Sequence, residues 1–211
     1  MLSIPTFPEA KHEIIEFLGS CSDLELVNLH SAYPERGRFF TALFCRYYGI
    51  VYTTVQHAFE SVEQTNYLFA IVWRRVFQQL SGVKYLNPSN VANWQNWIID
   101  ITGSTIAQVE VPDRANIRYS LSTVSPPLWC YLEQGLDRIP PLFRLIIVMS
   151  QNLNYTDEQI CTYLTEEGQN IAVESIPEHL AEGYQLLEAT LPEDIRLIYL
   201  NSTVTVVPTS T

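Results

Sequence analysis

The chain has 211 residues, of which 47% are hydrophobic and 17% are charged. This length suits one large domain or two small ones, and so apolar a composition excludes an intrinsically disordered protein. With 8 glycines the chain is also no collagen-like or flexible-linker protein. Twelve basic and twenty-three acidic side chains give a net charge of −11, which repels nucleic acid when averaged over the surface.

The acidity is concentrated near the C-terminus. Residues 151–211 contain one basic residue, Arg196, and ten acidic ones. Residues 1–90 and residues 91–150, in contrast, each have a net charge of −1. The longest uncharged stretch, residues 85–99, is shorter than the 18 or so apolar residues that a membrane-spanning helix needs. No secretory signal pattern is visible either, so we expect a cytoplasmic protein that has no membrane partner.

Cysteines and histidines form no pattern typical of catalysis. Cys21, Cys45, Cys130 and Cys161 are scattered without CxxC spacing, and no histidine stands at metal-ligand spacing. Phosphate-binding, nucleophile-elbow and zinc-protease motifs are also missing from the sequence. We therefore expect reduced structural thiols, no catalytic residue, no metal, no cofactor and no enzymatic activity.

Apolar residues at three- and four-residue steps predict helices through most of the chain. A short helix over about 23–31 precedes one over about 40–59 and another over 61–82, which opens at a capping box formed by Ser61 and Gln64. Asn87 and Pro88 predict the cap and first turn of a third long helix, which reaches Val109 and has a weak point at Gly103.

The periodicity fails between 111 and 125 and returns at Pro126 and Pro127, a helix-start signal. We therefore predict an all-α protein with helical domains at 1–111 and 125–200, a linker at 112–124 and a flexible tail at 201–211. In the second domain, a capping box at Thr156 and Gln159, a turn at Gly168 and a long helix to Leu191 predict a helix-turn-helix. A short helix follows from Pro192.

Five stretches of the sequence resemble a known family. They are residues 39–52 (FFTALFCRYYGIVY), 67–80 (YLFAIVWRRVFQQL), 94–101 (WQNWIIDI), 136–144 (LDRIPPLFR) and 155–164 (YTDEQICTYL). In this order they resemble the bacterial RNA-polymerase sigma factors, in particular the compact two-domain extracytoplasmic-function type. The resemblance spans most of the chain and implies a transcription initiation protein that binds core RNA polymerase and promoter DNA.

The resemblance also implies roles for individual residues. Contacts to polymerase are expected from the 67–80 helix, at Tyr67, Phe69, Arg74, Arg75 and Gln78. DNA contacts are expected from Trp94, Asn96 and Trp97 at the −10 element and from Ser175 and His179 on the second helix of the helix-turn-helix. Alternatively, the tryptophans are core aromatics, and the two arginines are solvated side chains whose stems cover apolar surface.

The sequence departs from the family where DNA would be read. From Glu174 to Leu191 there is no Lys or Arg, and Glu174, Glu178 and Glu182 share one helix face. Phosphate contacts need cations, and guanine is most often read by Arg or Lys. We therefore expect −35 reading to be weak or absent, with the acidic face solvated or bound to a basic protein partner.

Two alternatives use the same helices differently. The first alternative is a helical protein–protein interaction regulator that has the sigma-like fold without promoter recognition. The second is an unrelated helical interaction module whose helix-turn-helix is only a packing motif.

Overall fold

The computed structural model describes residues 4–82 and 93–200, and all regular structure in these ranges is helical. The predicted all-α class is therefore confirmed. In chain order the α-helices are α1 (Glu13–Glu16), α2 (Asp23–Ala32), α3 (Arg38–Gln56), α4 (Val62–Gly82), α5 (Trp94–Gln108), α6 (Pro126–Leu136), α7 (Pro141–Gln151), α8 (Asp157–Glu166), α9 (Ile176–Thr190) and α10 (Glu193–Tyr199). Within the described residues, no helix combines the length and apolarity needed to cross a membrane.

Contacts divide the chain into two compact units. Unit 1 comprises residues 1–130 together with 192–211, and unit 2 comprises Tyr131–Leu191. This division differs from the predicted boundaries, because unit 1 includes both the predicted linker 112–124 and α10. The linker contacts α4 of unit 1, since Nε2 of Gln64 donates to the Pro112 carbonyl at 3.2 Å and Nε of Arg114 lies 3.4 Å from Oε1 of Glu63. The predicted tail 201–211 lies outside the described residues.

Aromatic side chains of α3 and α4 form the centre of unit 1. Phe44 of α3 is fully buried, with ring centroids of Phe7 and Trp73 each 4.9 Å away. Phe40 and Phe77 form a similar edge-to-face pair at 4.9 Å. The helical periodicity therefore predicted the buried faces of both helices, although α3 ends at Gln56, before Phe59.

The third long helix begins later than the sequence pattern predicts. Asn93 is extended at φ −149°, and its side chain accepts a hydrogen bond from the Asn96 N–H at 3.2 Å. It therefore caps α5, which starts at Trp94 and continues through Gly103 to Gln108. The predicted start at Asn87 and Pro88 lies outside the described residues.

Helix α10 belongs to unit 1 because its Asp194 caps α3. The Asp194 carboxylate is 2% exposed and accepts hydrogen bonds from the backbone N–H groups of Gly37 at 2.9 Å and Arg38 at 3.1 Å. It also accepts from Nε of Arg38 at 2.8 Å. The first N–H groups of a helix have no partner within it, and Gly37 has no side chain to supply one. Asp194, which is 156 positions away from Arg38 in the sequence, supplies the acceptor instead.

A second contact joins the two ends of unit 1. The Tyr199 hydroxyl of α10 donates to Oε1 of Glu9 at 3.1 Å, across 190 positions of sequence. Burial and the nearby Glu9 carboxylate raise the pKa of Tyr199 well above its ordinary value, so the phenol keeps the proton that it donates.

In unit 2, α7, α8 and α9 surround a small apolar core. Its fully or nearly fully buried members are Ile146, Met149, Ile160, Leu164 and Ile176. The predicted capping box is present, because the Thr156 hydroxyl accepts from the Gln159 N–H and the Gln159 side chain accepts from the Thr156 N–H.

The predicted turn between α8 and α9 contains Gly168 in the left-handed region, at φ +79°. The connection nevertheless runs from Glu167 to Ser175 and includes a 3-10 helix, Val173–Ser175. It is therefore longer than the roughly three- or four-residue turn of a helix-turn-helix. Pro177 lies in the first turn of α9, where a proline costs no hydrogen bond.

Candidate functional site

Three of the five predicted polymerase contacts lie on one accessible side of α4. Tyr67 and Arg74 are half-buried and Gln78 is exposed, and three- and four-residue steps through Ile71 place them along a single stripe. This stripe, Tyr67–Ile71–Arg74–Gln78, is here called the α4 stripe. The opposite side of α4 packs on α2, α3 and α5.

The structure places the other two predicted contacts elsewhere. Phe69 is fully buried, with its ring centroid 5.3 Å from that of Tyr52, so it belongs to the core and cannot contact a partner. Arg75 directs Nη1 to Thr105 Oγ1 and Gln108 Oε1 of α5, each at 3.3 Å. Arg75 therefore joins α4 to α5, a role that the alternative of a solvated side chain did not include.

The predicted DNA contacts on α5 differ in exposure. Trp94 is 7% exposed and packs edge to face on Trp97, with 5.3 Å between ring centroids. Burial of Trp94 agrees with the alternative of a core aromatic. Trp97 is partly exposed to solvent, and Asn96 is exposed. A base could thus stack only on Trp97 without rearrangement of the helix.

Both predicted DNA contacts at the start of α9 make hydrogen bonds inside unit 2. The Ser175 hydroxyl donates to the Ala172 carbonyl at 2.8 Å. Nδ1 of His179 lies 2.8 Å from the Ser175 carbonyl, and its ring stacks on Phe143 with 6.0 Å between centroids. These contacts position the start of α9 and occupy the Ser175 hydroxyl donor and Nδ1 of His179.

Acidic side chains dominate the outer surface of unit 2. Glu174, Glu178 and Glu182 are all exposed, as the helical spacing predicts. Within Tyr131–Leu191 there are ten acidic residues and two basic ones, Arg138 and Arg144. Nη1 of Arg144 lies 3.3 Å from Oδ1 of Asp137, so one of these two arginines already forms an ion pair within the unit.

Sequence reasoning missed a groove on the outer side of α8. It has a volume of about 380 Å³ and is lined by Tyr155, Glu158, Gln159, Thr162, Tyr163 and Glu166. Tyr155 and Tyr163 are 38% and 39% exposed. Four-residue steps from Tyr155 to Tyr163 and from Glu158 to Glu166 are the sequence signal that could have identified it.

Burial keeps the His30 and Cys45 side chains of unit 1 neutral near pH 7. Burial lowers the pKa of His30 to about 4, and its ring lies close to those of Phe40 and Phe77. Burial, with a contribution from the Glu9 carboxylate, raises the pKa of the Cys45 thiol. Within the described part of the chain, no group of three or more His, Cys, Asp or Glu side chains could hold a metal ion.

Comparison with known proteins does not assign the chain to a family. No protein-family model, no curated protein and no solved structure matches the chain. The resemblance to sigma factors therefore stays a prediction from the sequence.

Proposed function

We propose that the chain is a sigma-factor-like transcription initiation protein that binds core RNA polymerase and reads −35 DNA weakly or not at all. The observation that carries the polymerase contact is the α4 stripe, where Tyr67, Arg74 and Gln78 are accessible together on one side of a 21-residue helix. Aromatic and Arg side chains are enriched at protein interfaces.

The surface chemistry of unit 2 supports the second half of the proposal. A helix that reads the major groove needs cations for phosphates and hydrogen-bond donors for base edges. Helix α9 contains no Lys or Arg, and the Ser175 hydroxyl just before it and Nδ1 of His179 are engaged within the unit. The same excess of acidic groups suits a basic protein partner.

We expect Arg74→Glu to weaken binding of the full chain to purified core RNA polymerase by roughly tenfold, because a charge reversal inside a protein interface costs on the order of 1–2 kcal/mol. The measurement is an equilibrium pull-down with core enzyme, accompanied by circular dichroism to show that the variant is folded.

Arg138→Glu is the matched control, since it makes the same charge change on an exposed arginine of unit 2. Equal weakening by both variants, or by neither, would contradict the assignment of the α4 stripe.

A second candidate function is a helical protein–protein interaction regulator that does not recognise promoters. The burial of Trp94 favours it, because a base-stacking tryptophan must be exposed. Such a protein would bind core polymerase or another protein without starting transcription, so the two candidates differ in a promoter-dependent transcription assay.

A further inference from the structure

The groove on α8 combines aromatic rings with carboxylates on one accessible surface. Ile160 and Leu164 of the same helix are fully buried, so the groove lies on the side of α8 that faces away from the core of unit 2. Tyr155 and Tyr163 supply two half-exposed rings, while Glu158 and Glu166 are exposed. Here we call this surface the α8 groove, with the lining residues given above.

The α8 groove carries a negative charge at neutral pH. Hydrogen bonds from the Thr156 side chain and from its own backbone N–H lower the pKa of Glu158. None of the lining residues carries a positive charge that would neutralise these carboxylates.

An arginine side chain fits this combination better than other groups. Its planar guanidinium stacks on the face of a tyrosine ring and at the same time donates paired hydrogen bonds to a carboxylate. A lysine ammonium offers the same charge, but it lacks the flat surface and the fixed fork of donors.

The acidic face of α9 offers the charge without the rings. Three and four residues from Glu178 and Glu182 there is no tyrosine, phenylalanine or tryptophan, and the ring of His179, which is at one of these positions, already stacks on Phe143. Charge alone would therefore attract a basic segment to either helix, whereas beside Glu178 and Glu182 a guanidinium finds no tyrosine face like those of Tyr155 and Tyr163.

We propose that the α8 groove binds an arginine side chain within a basic segment of a partner protein. This rests on the basic partner in the proposed function and locates its docking site on α8 rather than on the acidic face of α9. Tyr155 and Tyr163 are about two helical turns apart, so a guanidinium stacks on one of the two rings, with the glutamate three residues further along, Glu158 or Glu166, at its edge. This contact would neutralise part of the negative charge of unit 2.

The test uses the full chain and a fluorescein-labelled hexa-arginine peptide, with hexa-lysine for comparison, by fluorescence anisotropy at about 50 mM salt. We expect hexa-arginine to bind more tightly than hexa-lysine, and binding to weaken as salt screens the carboxylates. Tyr163→Ala, and the pair Glu158→Gln with Glu166→Gln, should each weaken binding of hexa-arginine at least fivefold. Tyr163→Phe should retain binding, because it keeps the ring.

The matched control is the pair Glu178→Gln with Glu182→Gln, which removes the same charge from α9 and should change the affinity by less than about twofold. Equal losses in the two glutamate pairs would show attraction by general acidity and overturn the proposal. So would equal affinity for the two peptides, unchanged binding in Tyr163→Ala, or no binding up to about 1 mM peptide. Because no polymerase is present, any of these failures leaves the polymerase contact untouched.

Discussion

Replacing Asp194 with alanine is expected to lower the free energy of unfolding of unit 1 by about 3 kcal/mol. The change leaves the backbone N–H groups of Gly37 and Arg38 and the Arg38 guanidinium without their carboxylate acceptor. Loss of a buried acceptor costs roughly 1–3 kcal/mol, and more when the partner is charged. Asp194→Asn keeps one acceptor oxygen but loses the charge, so a smaller loss is expected.

Urea unfolding followed by tryptophan fluorescence measures this loss. All four tryptophans, Trp73, Trp94, Trp97 and Trp129, lie in unit 1, so their emission reports on that unit. Asp100→Ala, which removes an exposed carboxylate from α5, is the control and should stay within about 0.5 kcal/mol. If Asp194→Ala were as mild as the control, α10 would not hold unit 1 together in the way its contacts indicate.

Phe44→Ala is expected to destabilise unit 1 by about 3–5 kcal/mol, because truncation of a buried phenylalanine removes its transfer energy and leaves a cavity. Phe44 is fully buried and its ring meets those of Phe7, Tyr48 and Trp73. Loss of these edge-to-face and stacked contacts adds to the cost.

Phe17→Ala makes the same chemical change at a side chain that is 85% exposed, and it should alter the unfolding free energy by no more than about 0.5 kcal/mol. The two variants are compared by the same urea titration. A Phe44 variant that is as stable as the Phe17 variant would contradict the placement of the aromatic core between α3 and α4.

Local patterns predicted the helices well where one physical signal acted alone. The apolar steps of α3 and α4 and the capping box at Thr156 identified those elements within a few residues. At α5 the prediction relied on Asn87 followed by proline, whereas the structure uses Asn93 as the cap. The choice of Asn87 placed the start of the helix that carries Trp94 too early.

Contacts between distant residues could not be predicted from local patterns. The assignment of α10 to unit 1 depends on Asp194 meeting Gly37 and Arg38, and no short motif contains that pairing. Arg75 reaches Thr105 and Gln108 only because α4 and α5 pack together. The candidate site was thus predicted in part: the α4 stripe follows from helical spacing, whereas burial of Phe69 and Trp94 follows from the tertiary fold.

Promoter-dependent run-off transcription with purified core RNA polymerase tests the central proposal most directly. The template carries a promoter selected with the chain and core enzyme together, and a second template has its −35 region scrambled. We predict that the full chain starts transcription from the first template, and that scrambling the −35 region changes the yield by less than about twofold, because α9 has no cations for phosphates or guanines. Absence of any chain-dependent start would contradict a role in initiation, and a large loss on the scrambled template would contradict the statement that unit 2 does not read −35 DNA.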